Sequence, residues 1–156
     1  MPPEAREVLV SACLLGRACR YDGRHNRDSV LERELVARGE VALPFCPEEA
    51  GGLATPRPAA WIEGEGAAAV LEGTGRLVTQ AGLDVTQEFL RGARGALAEC
   101  QARGITRAYL KERSPSCGVT CTHVAGELVP GPGVTGALLA REGVEVISVE
   151  GRRGFA

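Results

Sequence analysis

Six cysteines lie in this 156-residue chain, and three of them fall where strands should end. Cys13 closes the apolar run Val8-Leu9-Val10-Ser11-Ala12, Cys46 closes Val41-Ala42-Leu43-Pro44-Phe45, and Cys117 follows Ala108-Tyr109-Leu110-Lys111 after a short polar loop. Each has Gly or Pro close by: Cys13 in Cys13-Leu14-Leu15-Gly16, Cys46 in Cys46-Pro47-Glu48, Cys117 in Ser114-Pro115-Ser116-Cys117-Gly118. Such loops free backbone N–H groups, which a buried thiolate needs because an unpaired negative sulfur is costly. The N-terminus has mixed charge and no long apolar stretch, so the chain is expected in the cytoplasm. There, six cysteines read as metal-binding, catalytic or buried, and not as a disulfide framework. Three thiols at strand ends leave two readings open, one shared metal site or three separate small buried residues. No local C-x-x-C is present, which excludes a zinc ribbon or a thioredoxin-type pair.

The other cysteines carry less. Cys19 sits in a polar loop and reads as a plain loop residue, with a place beside the site as the sharper alternative. Cys100 falls on the apolar face of a helix and reads as core. Cys117 and Cys121 are four apart, but the radical-enzyme pattern C-x-x-x-C-x-x-C fails because position 124 is Val124. Gly131-Pro132-Gly133-Val134-Thr135-Gly136 matches G-x-G-x-x-G literally, yet Pro132 removes a backbone donor and the preceding segment reads as a hairpin. Dinucleotide binding is therefore disfavoured, although a helix N-terminus there is expected to suit an anion. His25 and His123 belong to no evident triad.

Glu48 and the serines flanking Pro115 are the candidate proton-handling groups. Glu48 stands two residues after Cys46, which in extended chain puts both side chains on one side. Ser114 and Ser116 lie just before Cys117. A carboxylate and a hydroxyl beside a metal can move protons. For Lys111, Glu112 and Arg57 the plain reading, a loop cap or surface ion pair, is preferred.

Positioning these residues requires alternating strands and helices. Strands are expected at residues 8–13, 41–46, 108–111 and 144–149, and helices at 29–38, from Asp84 to Gly104, and at 134–141. A hairpin is expected at 124–129, short strands near Trp61-Ile62, Val70-Leu71 and Leu77-Val78, and a frayed tail from Gly151. The alternation argues for an α/β fold, a mostly parallel Rossmann-like sheet flanked by helices with a small hairpin insertion, whose ligands bind at the carboxyl ends of the strands. The length suits one domain with a core at about residues 8–149. Hydrophobic residues at 44% and charged residues at 24% exclude disorder, and no apolar run approaches a membrane span. A net charge of -2 with 4% aromatics argues against nucleic-acid binding. Glycine, at 21 residues, predicts tight turns and close backbone approaches.

Several motifs in order resemble the domain-of-unknown-function family numbered 523, whose best understood members are thiouracil desulfidases. They are Val10-Ser11-Ala12-Cys13-Leu14-Leu15-Gly16, Cys19-Arg20-Tyr21-Asp22-Gly23, Cys46-Pro47-Glu48, Thr55-Pro56-Arg57-Pro58, Lys111-Glu112-Arg113-Ser114-Pro115-Ser116-Cys117-Gly118 and Gly133-Val134-Thr135. Departures are Ala54 in place of a frequent proline, a short segment after Cys117, and Pro132 where an acidic residue is common. The resemblance implies a [4Fe-4S] cluster on three cysteines matching Cys13, Cys46 and Cys117, with one iron open to a thiocarbonyl sulfur and sensitive to oxygen. It implies assistance by a glutamate matching Glu48 and by a serine of the Ser114-Pro115-Ser116 loop, Ser114 before Ser116. The expected activity is non-redox, hydrolytic exchange of sulfur for oxygen on a small thiolated base such as 2-thiouracil or a related thioamide. The alternatives are a non-catalytic cluster- or sulfide-binding protein and a small-molecule binding module without metal.

Overall fold

The computed structural model describes residues 5–154. Four parallel strands form the central sheet in the order β2-β1-β5-β8: β1 (Arg6–Ser11), β2 (Glu40–Phe45), β5 (Arg107–Lys111) and β8 (Glu145–Val149). β1 is apolar on both faces because both are covered. Val8 and Val10 pack with Leu31 and Leu35 of α1 (Ser29–Ala37), while Leu9 packs with Ala96 and Cys100 of α4 (Thr86–Arg103) and Leu139 of α5 (Val134–Arg141). The spacing of Val85, Phe89, Leu90, Ala93, Leu97 and Cys100 predicts one apolar face of α4; all are buried except Leu97, which is partly buried, and Gly104 ends the helix in the left-handed region. Pro44 sits next to last in β2, at the sheet edge where its missing N–H is tolerated.

Register places the strand ends side by side. Ser11 lies opposite Phe45, Val10 opposite Tyr109, and Lys111 opposite Val149. β1 connects to β2 on one side and has β5 on the other, so the strand order reverses between β1 and β5. In open α/β sheets ligands bind at such a point. Cys13 leaves β1 there and Cys117 follows β5.

Two antiparallel pairs complete the fold: β3 (Ala60–Glu63) with β4 (Arg76–Thr79), and β6 (Cys121–Val124) with β7 (Glu127–Pro130). The segment at Val70-Leu71 is not the expected strand. It lies in helix α3 (Ala67–Glu72), where an alanine run favours helix and Gly73 stops it at positive φ. The tail is not frayed at residues 151–153 either. Ser29 N donates to Arg153 O at 3.1 Å, and Arg153 Nε lies 2.7 Å from the buried Asp28 carboxylate. Residues 155 and 156 lie outside the described part. Among the described residues no helix is long and apolar enough to cross a membrane.

Candidate active site

Three loops leave the carboxyl edge of the sheet, each fixed by its own local chemistry. Cys13 lies in a single 3-10 turn (Ala12–Leu15) that Gly16 closes at φ 97, a conformation that costs glycine little. The turn sends the chain back over the sheet edge, and Asn26 N donates to Cys13 O at 2.9 Å. Cys46 is the residue before the short helix α2 (Pro47–Ala50), with Pro47 pre-set for the first helical position. That helix docks on α4 through a glycine pair: a methyl on Gly51 would overlap Glu88 O, and one on Gly92 would overlap Pro47 O.

Cys117 is held from two directions. Ser114 Oγ accepts hydrogen bonds from Ser116 N at 3.1 Å and Cys117 N at 3.0 Å, making a local turn. The first amides of α5 then meet the carbonyls of that turn: Val134 N donates to Pro115 O, and Thr135 N and Gly136 N donate to Ser116 O. Gly133 and Gly136 allow this approach, since side chains there would overlap the backbone of residues 115–118. The glycine motif is thus a helix-docking device. The α5 N–H groups expected to suit an anion are already satisfied by protein carbonyls.

Glu112, read as a loop cap or surface ion pair, is a buried loop cap: it is 2% exposed and anchors the same loop. Its carboxylate accepts from Val119 N at 2.7 Å, Thr120 N at 3.0 Å, Cys121 N at 3.2 Å and Thr120 Oγ1 at 2.9 Å, and from Ser148 Oγ of β8. Burial opposes its charge, yet the Ser148 hydroxyl and these three amides hold its carboxyl down to about 2.

The thiols come together over the sheet edge. Cys19, which reads as a plain loop residue, is buried with its side chain hydrogen-bonded to both Cys13 and Cys46. This shared bond is the largest influence holding the Cys13 thiol down to about 7, with burial opposing and Asn26 and Lys111 assisting. Cys46 is held below the usual thiol range by the same bond, against burial, with the Glu49 amide and Arg57 assisting. Cys117 is pushed up by burial; the Ser11 hydroxyl opposes this, and the charges of Cys13, Cys46 and Glu48 add to it. Ligand atoms of Cys19, Cys46 and Glu49 all lie within 4.8 Å of one another. The thiols' other partners are few: Asn26 Nδ2 donates to Cys13 Sγ at 3.5 Å, while the contacts of Cys46 with Cys19 O at 3.9 Å and of Cys117 with Ser116 Oγ at 4.0 Å are long. A crowd of soft sulfur donors so poorly satisfied by protein fits an iron–sulfur cluster or a thiophilic ion.

Polar groups border the thiols. Glu48 is mostly buried, and burial pushes its carboxyl up while Arg57 pulls it back. Its charge is felt by Cys13, Cys46 and Cys117 alike. Arg57 is no surface residue: its side chain is 5% exposed, and it donates to Glu48 Oε1 at 3.3 Å, Cys19 O at 2.8 Å and Thr55 Oγ1 at 2.8 Å. Lys111 Nζ donates to Glu112 O at 2.8 Å, and burial lowers its ammonium while the Cys13 charge supports it. Ser116 is buried with Oγ 3.1 Å from Thr135 Oγ1, whereas Ser114 remains partly exposed.

The structure leaves the other candidates away from the thiols. His25 accepts from Arg27 N in an exposed loop, His123 lies exposed on β6, and Cys100 is core. Cys19, Arg57 and Glu112 were each underrated. The turn at Gly16, three residues after Cys13, reverses the chain and is the one local signal pointing Cys19 back to the site.

A family model described as 2-thiouracil desulfurase matches residues 8–151. The uncharacterized protein YbbK of Bacillus subtilis (strain 168) is 42% identical over 144 residues, 90% of this chain and 94% of that one. The solved structure of the [4Fe-4S]-dependent thiouracil desulfidase TudS is similar at a TM-score of 0.79 and 48% sequence identity, covering 92% of this chain and 90% of that one.

Proposed function

The chain belongs to the 2-thiouracil desulfurase family, and on that premise we propose that it is an iron–sulfur enzyme that removes sulfur from a small thiolated base. The substrate class is a thiolated pyrimidine such as 2-thiouracil, or a related thioamide. Water replaces sulfur at carbon and sulfide leaves, so atoms balance and no electrons are consumed. Cys13, Cys46 and Cys117 are the residues that would hold a [4Fe-4S] cluster, which supplies a soft Lewis acid for a thiocarbonyl sulfur. The desulfidase TudS, named as [4Fe-4S]-dependent, supports a cluster in so close a relative.

The observation that carries the reading is a mostly buried carboxylate, ion-paired to the buried Arg57, at the sheet edge where the thiol loops meet. Glu48 sits two residues beyond Cys46 and is held by Arg57 at 3.3 Å. It takes a proton from the attacking water at its free carboxylate oxygen. Arg57 keeps that carboxylate aimed by also bonding Cys19 O across the loop. Ser114 Oγ accepts two amides, which leaves its own proton to offer to a substrate heteroatom. Ser116 faces Thr135 and steadies the Cys117 turn. The Lys111 ammonium offsets negative charge beside Cys13.

Anaerobic reconstitution with iron and sulfide, followed by a panel of thiolated bases and nucleosides, tests the reading. Sulfide and the oxo base should form in equal amounts without a reductant. Ala at Cys13, Cys46 or Cys117 should cut iron content. A loaded protein that turns over none of the panel would favour a non-catalytic cluster protein, and one that binds no iron would overturn the proposal.

A further inference from the structure

Asn26 was marked by no sequence motif, yet it is 5% exposed and lies between the thiols and the C-terminal tail. Its Nδ2 lies 3.5 Å from Cys13 Sγ. Its Oδ1 accepts from Arg20 Nη1 and from Arg152 Nε, each at 3.1 Å. The two ends of an amide are alike in shape, so its direction follows from its partners. Two guanidinium donors demand the oxygen, and the N–H end is left to face sulfur.

The backbone around Asn26 is built to hold this arrangement. Asn26 N donates to Cys13 O at 2.9 Å, and Arg152 N donates to Asn26 O at 3.1 Å. Arg152 takes φ 63, which a non-glycine residue adopts at a cost. Gly151 comes so close that an added Cβ would stand 3.1 Å from Asn26 O and Asn26 Cβ. Arg153 ties the same tail to Asp28, the buried cap of α1. The tail therefore reaches back over the site and fixes one amide.

We propose that Asn26 is a positioning residue whose side-chain N–H, oriented by Arg20 and Arg152, donates to the Cys13 sulfur and makes the group bound there poorer in electrons. The proposal rests on the cluster reading above. Hydrogen bonds to ligand sulfur withdraw charge and raise the reduction potential of an iron–sulfur cluster. In a non-redox enzyme the same withdrawal sharpens the Lewis acid and slows oxidative loss. The C-terminal tail thus tunes a site more than a hundred positions earlier in sequence.

The test uses the reconstituted full chain and two substitutions that remove the donor in opposite ways. Asn26→Asp keeps the size and both arginine partners but adds charge, and Asn26→Leu is neutral; Asn26→Ala replaces Leu if that variant does not fold. Reduction potential is followed by electron paramagnetic resonance, and cluster loss in air by absorbance. Both variants should move the potential negative and lose the cluster faster than wild type. Arg152→Met should shift the same way by less, because Arg20 still holds Oδ1. No shift in either Asn26 variant would leave a merely structural role and overturn the proposal. A shift with Asp alone would assign the effect to charge and overturn it equally. Wild-type protein that takes up no cluster sinks the cluster reading and this one with it, whereas a normal wild-type cluster with unshifted variants sinks this one alone.

Discussion

Glu48 and Glu112 are both glutamates taken out of water at the carboxyl edge of the same sheet, and their surroundings treat them in opposite ways. Glu112 meets an amide from each of Val119, Thr120 and Cys121 and hydroxyls from Thr120 and Ser148, and its carboxyl is held at about 2. Glu48 has one arginine, and burial keeps its carboxyl above the usual range. The first is a charge fully satisfied by the fold, so its energy goes into holding the Cys117 loop against β8. The second is left short of partners, the condition in which a carboxylate can exchange a proton with a ligand. Burial alone does not separate a structural acid from a chemical one; the number of donors pointing at it does.

The largest effect should come from Glu48→Gln. Gln keeps the shape and removes the charge, so turnover should fall by roughly 10²–10⁴-fold, the usual range for a positioned acid–base group. Iron content and unfolding midpoint should stay near wild type, because this carboxylate is poorly satisfied in the fold. Single-turnover rates normalised to iron decide the matter. A Gln variant with near-native rate would place Glu48 with Glu112 as a structural group.

Glu112→Gln should do the reverse. A carboxyl held at about 2 in the folded chain and near 4.5 when free favours folding wherever it is ionised in both states. The sign follows: this contribution, about 3 kcal/mol, is full above pH ~4.5 and is lost as pH falls toward 2. Wild type should therefore lose stability across that window. Glu112→Gln should be weaker at neutral pH by about the same amount and lack that part of the acid slope. Urea unfolding at several pH values measures both. An unchanged slope in the Gln variant would break the contrast between the two glutamates.

That contrast explains what was legible in the sequence. The strands β1, β2, β5 and β8 and the helices α4 and α5 were readable because apolar spacing is local and each element buries a continuous face. The placement of Cys13, Cys46 and Cys117 after β1, β2 and β5 was readable because a strand end is a local feature too. Helix α3 was misread because Val70 and Leu71 stand among glycines, and the alanines at Ala67, Ala68 and Ala69 carried the better signal. Glu112 and Arg57 read as loop caps or surface ion pairs because charged side chains in polar loops usually are; the partners that bury them, Ser148 and Cys19 O, are 36 and 38 positions away. Asn26 was silent for the same reason, since Arg152 is 126 positions distant.

The smallest effect should come from Cys100, which shares residue type with the site thiols and nothing else. It is 1% exposed on the inner face of α4, packed with Leu9, Ala96, Ile105 and Leu139, and its thiol is pushed up chiefly by burial. Among the described residues the charge that bears on it is Glu99, beside it on its own helix. Cys100→Ala removes one sulfur from a packed interior, which costs typically ~1–2 kcal/mol and leaves a small void. Iron content and rate per iron should match wild type, with only the unfolding midpoint lowered. This control matters because it separates loss of a thiol from loss of a site. If Cys100→Ala lost iron as Cys117→Ala should, general weakening of the sheet would explain both variants, and the ligand role of Cys117 would have to rest on spectroscopy instead.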